Sequence, residues 1–331
     1  MTATPVLQLA LPLPSFTAQA PASWDFVLDQ ARLFDEAGVD RLLVSDHVVF
    51  GERLEEYGRP EIGGVAGGRQ PTGPDGHWLE PLTTLAVVAG ATSRIRLRSN
   101  VLLAALRRPV VLAKSAATLD VLSGGRLDLG VGVGWQKEEY EAAGLDFGQR
   151  GALLNESLAV CQALWTQERA AYESERLSFA GIHMMPKPAQ PGGVPIWVSG
   201  TVNHRVIGRL ARFGRGWIPW GDAARDLPAS IRKIRDGLAG AGRDPAGLQV
   251  AGVLTMVRGA DGRVDVAATM DAVPGLAAAG VTEFQPAVRV PGDRAAARDF
   301  LDELVAAFRV AAGRPLASTA PRYQGLVRGT L

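Results

Sequence analysis

The chain has 331 residues, with 35 basic and 34 acidic side chains, a formal charge of +1, 47% apolar and 21% charged residues. Near-neutrality removes the electrostatic basis for nucleic acid or an anionic membrane as partner, and the apolar share suffices for a large core and excludes general disorder. Cys161 is the only cysteine, which excludes a disulfide framework or a thiolate metal cluster within one chain, and no apolar run reaches the roughly 18 residues of a membrane-spanning helix.

From the N-terminus, residues 1–24 carry no charge and Ala18-Gln19-Ala20 imitates a signal-cleavage site. Pro12 and Pro14 interrupt the apolar stretch and no basic residue precedes it, so the expectation is a cytoplasmic protein. Residues 6–13 read as a strand and 24–37 as a helix, with Val27, Ala31 and Phe34 on one face and Gly38 as its stop. A strand at 41–45, a helix at 81–92 and a strand at 95–103 follow. Then come a helix at 109–122, opened by Pro109 and closed by Gly124-Gly125, and a strand at 126–133. A helical region at 137–169 has a glycine-marked break at 144–151. The pattern continues with strands at 195–199, 216–219, 248–257 and 281–288 and helices at 203–213, 226–241, 264–279 and 293–312. The last helix carries Phe300, Leu301, Leu304, Val305 and Phe308 on one stripe.

Eight strands in strict alternation with eight helices demand a parallel sheet covered by helices. The length fits a (β/α)8 TIM barrel, one α/β domain over residues 1–331, with insertion loops at 50–78 and 169–190. The competing open, doubly wound sheet calls for a glycine-rich phosphate turn after the first strand, where this chain has Leu13-Pro14-Ser15.

Hydrolase and zinc signatures are missing: there is no G-x-S-x-G elbow, and His47, His77, His183 and His204 sit at no metal-binding spacing. No metal site is expected. Arg94, Arg96 and Arg98 alternate with apolar residues and read as the polar side of a strand end. Three segments at strand ends are candidates for chemistry, since the carboxyl rim of a barrel carries the active site. Asp46-His47 pairs a carboxylate with the one side chain that titrates near neutrality. Gly130-Val131-Gly132-Val133-Gly134-Trp135 has glycines that admit either a ligand or a close-packed neighbour. Ser199-Gly200-Thr201 precedes a helix and suits either a phosphate or a plain N-cap.

Taken in order with Leu79-Glu80-Pro81-Leu82, Arg94-Ile95-Arg96-Leu97, Leu122-Ser123-Gly124-Gly125-Arg126, Glu139, Pro186-Lys187-Pro188, Pro195-Ile196-Trp197-Val198 and Gly214 to Trp217, these segments resemble the luciferase-like monooxygenase superfamily. The similarity runs from about residue 6 to 310 and is nearest to its coenzyme F420-dependent oxidoreductases.

The resemblance implies a deazaflavin or flavin at the barrel mouth. It implies Asp46 and His47 beside the ring, with His47 in proton transfer and Asp46 orienting the ring or the histidine. It also implies a non-proline cis peptide at Asn100-Val101 under the ring, Gly132 and Gly134 against the cofactor, and Ser199, Gly200 and Thr201 at its phosphate. Trp78 and Trp135 are expected to wall the substrate. A homodimer acting on a small molecule by hydride transfer is implied, with an FMN-dependent monooxygenase using O2 as the alternative and a non-catalytic cofactor carrier as a third possibility. The chain departs from the sugar-phosphate dehydrogenases of the superfamily, which have an acidic proton donor where Trp135 stands. It also has Arg215 where an acid is common and Ser199 where the usual phosphate turn has glycine.

Overall fold

Strands buried on both faces need apolar side chains in near-continuous runs, and Leu9-Ala10-Leu11, Leu42-Leu43-Val44 and Trp197-Val198 are almost entirely shielded from solvent. In the computed structural model, which describes residues 6–315, eight such strands close into a barrel. They are β1 (Gln8–Pro12), β2 (Arg41–Val44), β3 (Arg96–Leu102), β4 (Leu127–Val131), β5 (Ile196–Gly200), β6 (Gly214–Pro219), β7 (Gln249–Leu254) and β8 (Glu283–Pro286). All neighbours are parallel and follow chain order, and β8 pairs with β1 to complete the ring. The outer helices are α1 (Asp25–Ala37), α2 (Pro81–Ala91), α3 (Pro109–Leu122), α4 (Arg150–Thr166), α5 (His204–Phe213), α6 (Leu227–Gly240), α7 (Ala272–Ala279) and α8 (Arg294–Ala311). The TIM-barrel expectation therefore holds.

Three local readings change. The helix expected at 264–279 is divided: Val264–Asp265 pairs antiparallel with Val257–Arg258, one helical turn covers Val266–Met270, and α7 then begins. Pro274 in the first turn of α7 explains the break, since its ring cannot donate to, and crowds, the carbonyl four residues back. The loop at 169–190 forms an antiparallel hairpin, Ala170–Glu173 with Ser178–Ile182, against α4. Arg98, read as part of a polar strand side, is fully buried inside the barrel. Its Nη2 lies 2.7 Å from Glu283, Arg96 pairs with Asp128 at 2.9 Å, and Arg41 bonds to both acids. Burial pulls the Arg98 guanidinium down to about 10, against the pull of Glu283. The Trp197 ring lies under Arg98 and Arg41, 4.3 and 5.0 Å from its centroid, and a β-carbon on Gly216 would run into that ring. The floor of the barrel is thus a closed layer of paired charge beneath the carboxyl-end rim.

Candidate active site

A cavity of about 970 Å³ opens at the carboxyl ends of the strands. Asp46, His47, Trp78, Asn100, Val101, Gly132, Gly134, Trp135, Ser199, Gly200 and Thr201 all line it, so residues far apart in sequence converge on one space. The insertion at 50–78 forms one wall, with Tyr57, Gly63 and Gln70 among the lining residues. Trp220 Nε1 donates to Gly63 O at 3.0 Å and Arg53 Nε to Glu138 at 2.6 Å, tying that loop to the barrel. Its His77–Trp78 end pairs with Phe16–Thr17 after β1. The hairpin at 170–182 does not reach the cavity.

His47 follows β2 and is nearly buried. Its Nδ1 lies 3.2 Å from Glu139 Oε2, and Glu139 Oε1 accepts the Val48 N–H at 2.8 Å. The carboxylate that orients the histidine is therefore Glu139, on the short helix Lys137–Ala142 after β4, rather than Asp46. Asp46 is committed elsewhere. Its Oδ2 accepts from Leu103 N at 2.8 Å and from Arg107 Nη1 at 2.6 Å, and its Oδ1 accepts from Arg107 Nη2 at 3.1 Å. Arg107 also reaches Glu80 at 2.7 Å, while Glu80 caps α2 through the Thr83 N–H. Burial works against the charge of Arg107, but Asp46 and Glu80 outweigh it and hold the guanidinium above its ordinary value.

The glycines divide by role. A β-carbon on Gly130 would collide with Ser99 O, so that glycine serves strand packing. A β-carbon on Gly132 would lie 2.7 Å from Val101 Cγ2, and Gly134 takes φ +71, where L side chains are strained. At both, a neighbouring side chain fills the space, Val101 at Gly132 and Leu103 Cδ2, 3.0 Å away, at Gly134, so these glycines let the chain at the end of β3 pack against the end of β4 while both residues still line the cavity; the Asn100-Val101 bond is cis.

At the other end stand Ser199, Gly200 and Thr201. Asn203 caps α5, accepting the Arg205 and Val206 N–H groups at 3.0 Å each. The helix is thus capped, but by Asn203 and not by Ser199, Gly200 or Thr201, and an anion here would meet hydroxyls and cations rather than those two amides. The cations are Arg150, Arg205, Arg209 and Arg212, which all line the cavity. Arg209 bonds to neutral groups, Asn155 Oδ1 at 2.7 Å and Gly151 O at 3.2 Å. Burial, then repulsion from Arg205, pulls its guanidinium down. Among the described residues, none of the four has a carboxylate partner. The sequence carried a signal for them, since positions 205, 209 and 212 share one helical face. For Glu139 the only signal was its place in the family-like run, with nothing to link it to His47.

A planar, mostly apolar ring with an anionic side chain fits this lining: Val101, Gly132 and Gly134 along one stretch, a histidine at one side, hydroxyls and arginines elsewhere on the wall. Among the described residues no cluster of side chains could hold a metal ion, and no helix is long and apolar enough to cross a membrane.

Comparison with known proteins extends this picture. The family model of luciferase-like monooxygenases matches residues 9–318. An F420-dependent glucose-6-phosphate dehydrogenase of Kineococcus radiotolerans is 35% identical over 175 residues, 51% of each chain. The chain spans about half the length of the curated relatives it matches. Two solved structures share the fold. An F420-dependent secondary alcohol dehydrogenase in complex with an F420-acetone adduct has a TM-score of 0.68 at 17% identity, covering 92% of this chain and 99% of that one. The FMN-bound oxygenating constituent of 3,6-diketocamphane monooxygenase from Pseudomonas putida has a TM-score of 0.69 at 15% identity, covering 92% and 98%.

Proposed function

The chain belongs to the luciferase-like monooxygenase family, and from that premise we propose that it is an oxidoreductase transferring a hydride between bound coenzyme F420 and a small organic substrate. The observation that carries the choice of coenzyme is the set of four arginines at the far end of the cavity. FMN ends at one phosphate, whereas the side chain of F420 bears carboxylates beyond its phosphate, and four cations without carboxylate partners suit the longer anion. The similarity to an F420-dependent dehydrogenase supports the same choice. An FMN-dependent monooxygenase is the second reading, favoured by the FMN-bound neighbour of the same fold.

When bound, the coenzyme supplies two-electron redox chemistry. The protein's share is placement and proton handling. Gly132, Gly134, Asn100 and Val101 would lie along the ring, Ser199, Gly200 and Thr201 would meet the phosphate, and Arg150, Arg205, Arg209 and Arg212 the remaining anion. With Nδ1 engaged by Glu139, His47 keeps Nε2 to give or take the substrate's proton. Trp78 and Trp135 shield the reacting atoms from water. Asp46 braces the rim through Arg107 and the Leu103 N–H.

A second copy of the chain is proposed to cover α2 and α3. Val87, Val110, Val111 and Leu122 stand exposed there, and α2 carries no charged residue.

Titration of apoprotein with F420 and with FMN, followed by coenzyme fluorescence, tests the reading. Saturable F420 binding well below the dissociation constant for FMN is expected. Tight FMN binding with none of F420 overturns it in favour of the monooxygenase.

A further inference from the structure

Six rings form one continuous chain around the cavity. Phe16 stacks on Trp78 at 4.1 Å, Trp78 meets His47 edge-on at 4.9 Å, and His47 meets Trp135 edge-on at 6.1 Å. Trp135 then meets Tyr57 at 5.3 Å, and Tyr57 meets Trp220 at 6.2 Å. All six line the cavity. They come from the segments after β1, β2, β4 and β6, so the histidine sits within an aromatic wall.

Charge is distributed the other way. The cations lining the cavity belong to α4 and α5. On the aromatic side the acids are already paired: Asp46 with Arg107 at 2.6 Å and Glu61 with Arg59 at 2.8 Å. Among the described residues no lysine or arginine of the aromatic segments themselves lines the cavity, Arg150 of α4 reaching the insertion only at Ile62 O, 3.4 Å away, and burying an unpaired anion is strongly unfavourable. Burial raises the Tyr57 phenol above its ordinary range, so it stays neutral. One buried polar atom in this wall lacks a partner: Trp135 Nε1 makes no hydrogen bond, on a side chain that is 5% exposed. A buried indole N–H ordinarily finds an acceptor.

We propose that the substrate is an uncharged, largely aromatic or polycyclic molecule bearing a carbonyl or hydroxyl oxygen, received by the Trp78–His47–Trp135 wall, and that phosphorylated sugars are excluded. This rests on the reading of the site as a coenzyme-binding redox cavity and adds the class of molecule that fills its other half. The rings supply π faces and apolar area, Trp135 through its ring alone, while His47 Nε2 supplies the polar contact that orients the oxygen. The arginines at the far end remain for the coenzyme.

The test is calorimetric titration of the protein, with and without saturating F420, using fluorenone and 2-acetylnaphthalene as neutral probes and glucose 6-phosphate as the charged one. At least one ketone is expected to bind in both states, and the sugar phosphate not once F420 fills the arginine end. Ketone affinity should fall about tenfold in Trp78→Ala and in Trp135→Ala and be largely restored in Trp135→Phe, with unchanged unfolding midpoints certifying the variants. Failure of both ketones to bind, indifference to both tryptophan substitutions, or sugar-phosphate binding as tight as the ketones' in the presence of saturating F420 overturns the proposal. Coenzyme binding is scored separately by fluorescence. Ketone binding without F420 binding keeps the substrate class and removes the F420 reading, whereas F420 binding with tight glucose 6-phosphate binding does the reverse.

Discussion

Glu139 Oε2 lies 3.2 Å from His47 Nδ1 while Oε1 of the same carboxylate accepts the Val48 N–H. One buried acid thus fixes both the imidazole and the backbone beside it. A carboxylate can accept from both donors at once, which sets the tautomer with the proton on Nδ1 and leaves Nε2 for the cavity. Glutamine has one acceptor, for the Val48 N–H, and one donor, so Glu139→Gln keeps its contact to Nδ1 only if the imidazole proton moves to Nε2. The expected outcome is a kcat lowered about tenfold with KM and F420 affinity little changed, because the loss is one of orientation rather than of binding. His47→Ala should cost more, roughly 10²–10⁴-fold in kcat. Nitrogen NMR of the His47 ring in wild type and Glu139→Gln checks the cause. An unaltered tautomer in the variant would remove Glu139 from this role.

Asp46 and Arg107 make a different kind of pair. The Asp46 carboxylate is fully shielded and takes two contacts from the guanidinium and one from Leu103 N. Arg107→Met leaves Asp46 buried without its cation, and breaking such a pair from one side costs about 3–5 kcal/mol. Denaturant unfolding should show that loss. The double variant Asp46→Asn, Arg107→Met should recover part of it, since no bare charge remains. Equal stability in the single and double variants would argue against a buried pair.

Much of this was legible before any coordinates. Strict alternation of strand and helix signals allows only a parallel sheet wrapped in helices, and the residues singled out at strand ends meet in one cavity because every such end lies on the same rim. What failed shares a cause: roles fixed by partners distant in sequence. Glu139 reads as one more acid in the first turn of a short helix, and only closure of the barrel sets it under His47, 92 positions away. Alternation at Arg96 and Arg98 marks one face of a strand, but a barrel interior is also a face, and Glu283 makes Arg98 tolerable there. The run through residues 264–279 looks helical by composition, and Pro274 decides where the helix starts.

The arginine end of the cavity gives a coenzyme-selective prediction. Arg205→Ala and Arg212→Ala remove charge that bonds to no carboxylate among the described residues, so the fold should tolerate both. Affinity for F420 should fall about tenfold in each, consistent with the loss of one charge-assisted hydrogen bond. FMN affinity should change less, because its single phosphate can still use Ser199 and Thr201. The F420 preference should also weaken as salt rises, through screening of the same charges. Fluorescence titrations of both coenzymes at low and high ionic strength measure this. Equal losses for the two would place the arginines at the phosphate alone.

Asp35 supplies a pH dependence remote from chemistry. Its carboxylate, on α1, accepts the N–H groups of Ser93, Arg94 and Ile95 at 2.9, 2.9 and 2.7 Å and so anchors the turn that leads into β3. Burial alone would raise this carboxyl, but the three amides together outweigh burial and hold it below its ordinary 3.8. A group whose folded value is depressed gives its full stabilisation above the unfolded value and loses it as pH falls through the folded one. Wild-type stability should therefore decline as pH drops below about 4, partly through Asp35. Asp35→Asn should be less stable at pH 7, by about 1–3 kcal/mol for hydrogen bonds to a charged acceptor, with the gap to wild type closing as the acid limit is approached. Urea unfolding of both proteins between pH 7 and pH 3 measures the gap. A difference that stays constant over that range would mean that Asp35 acts by shape and not by charge.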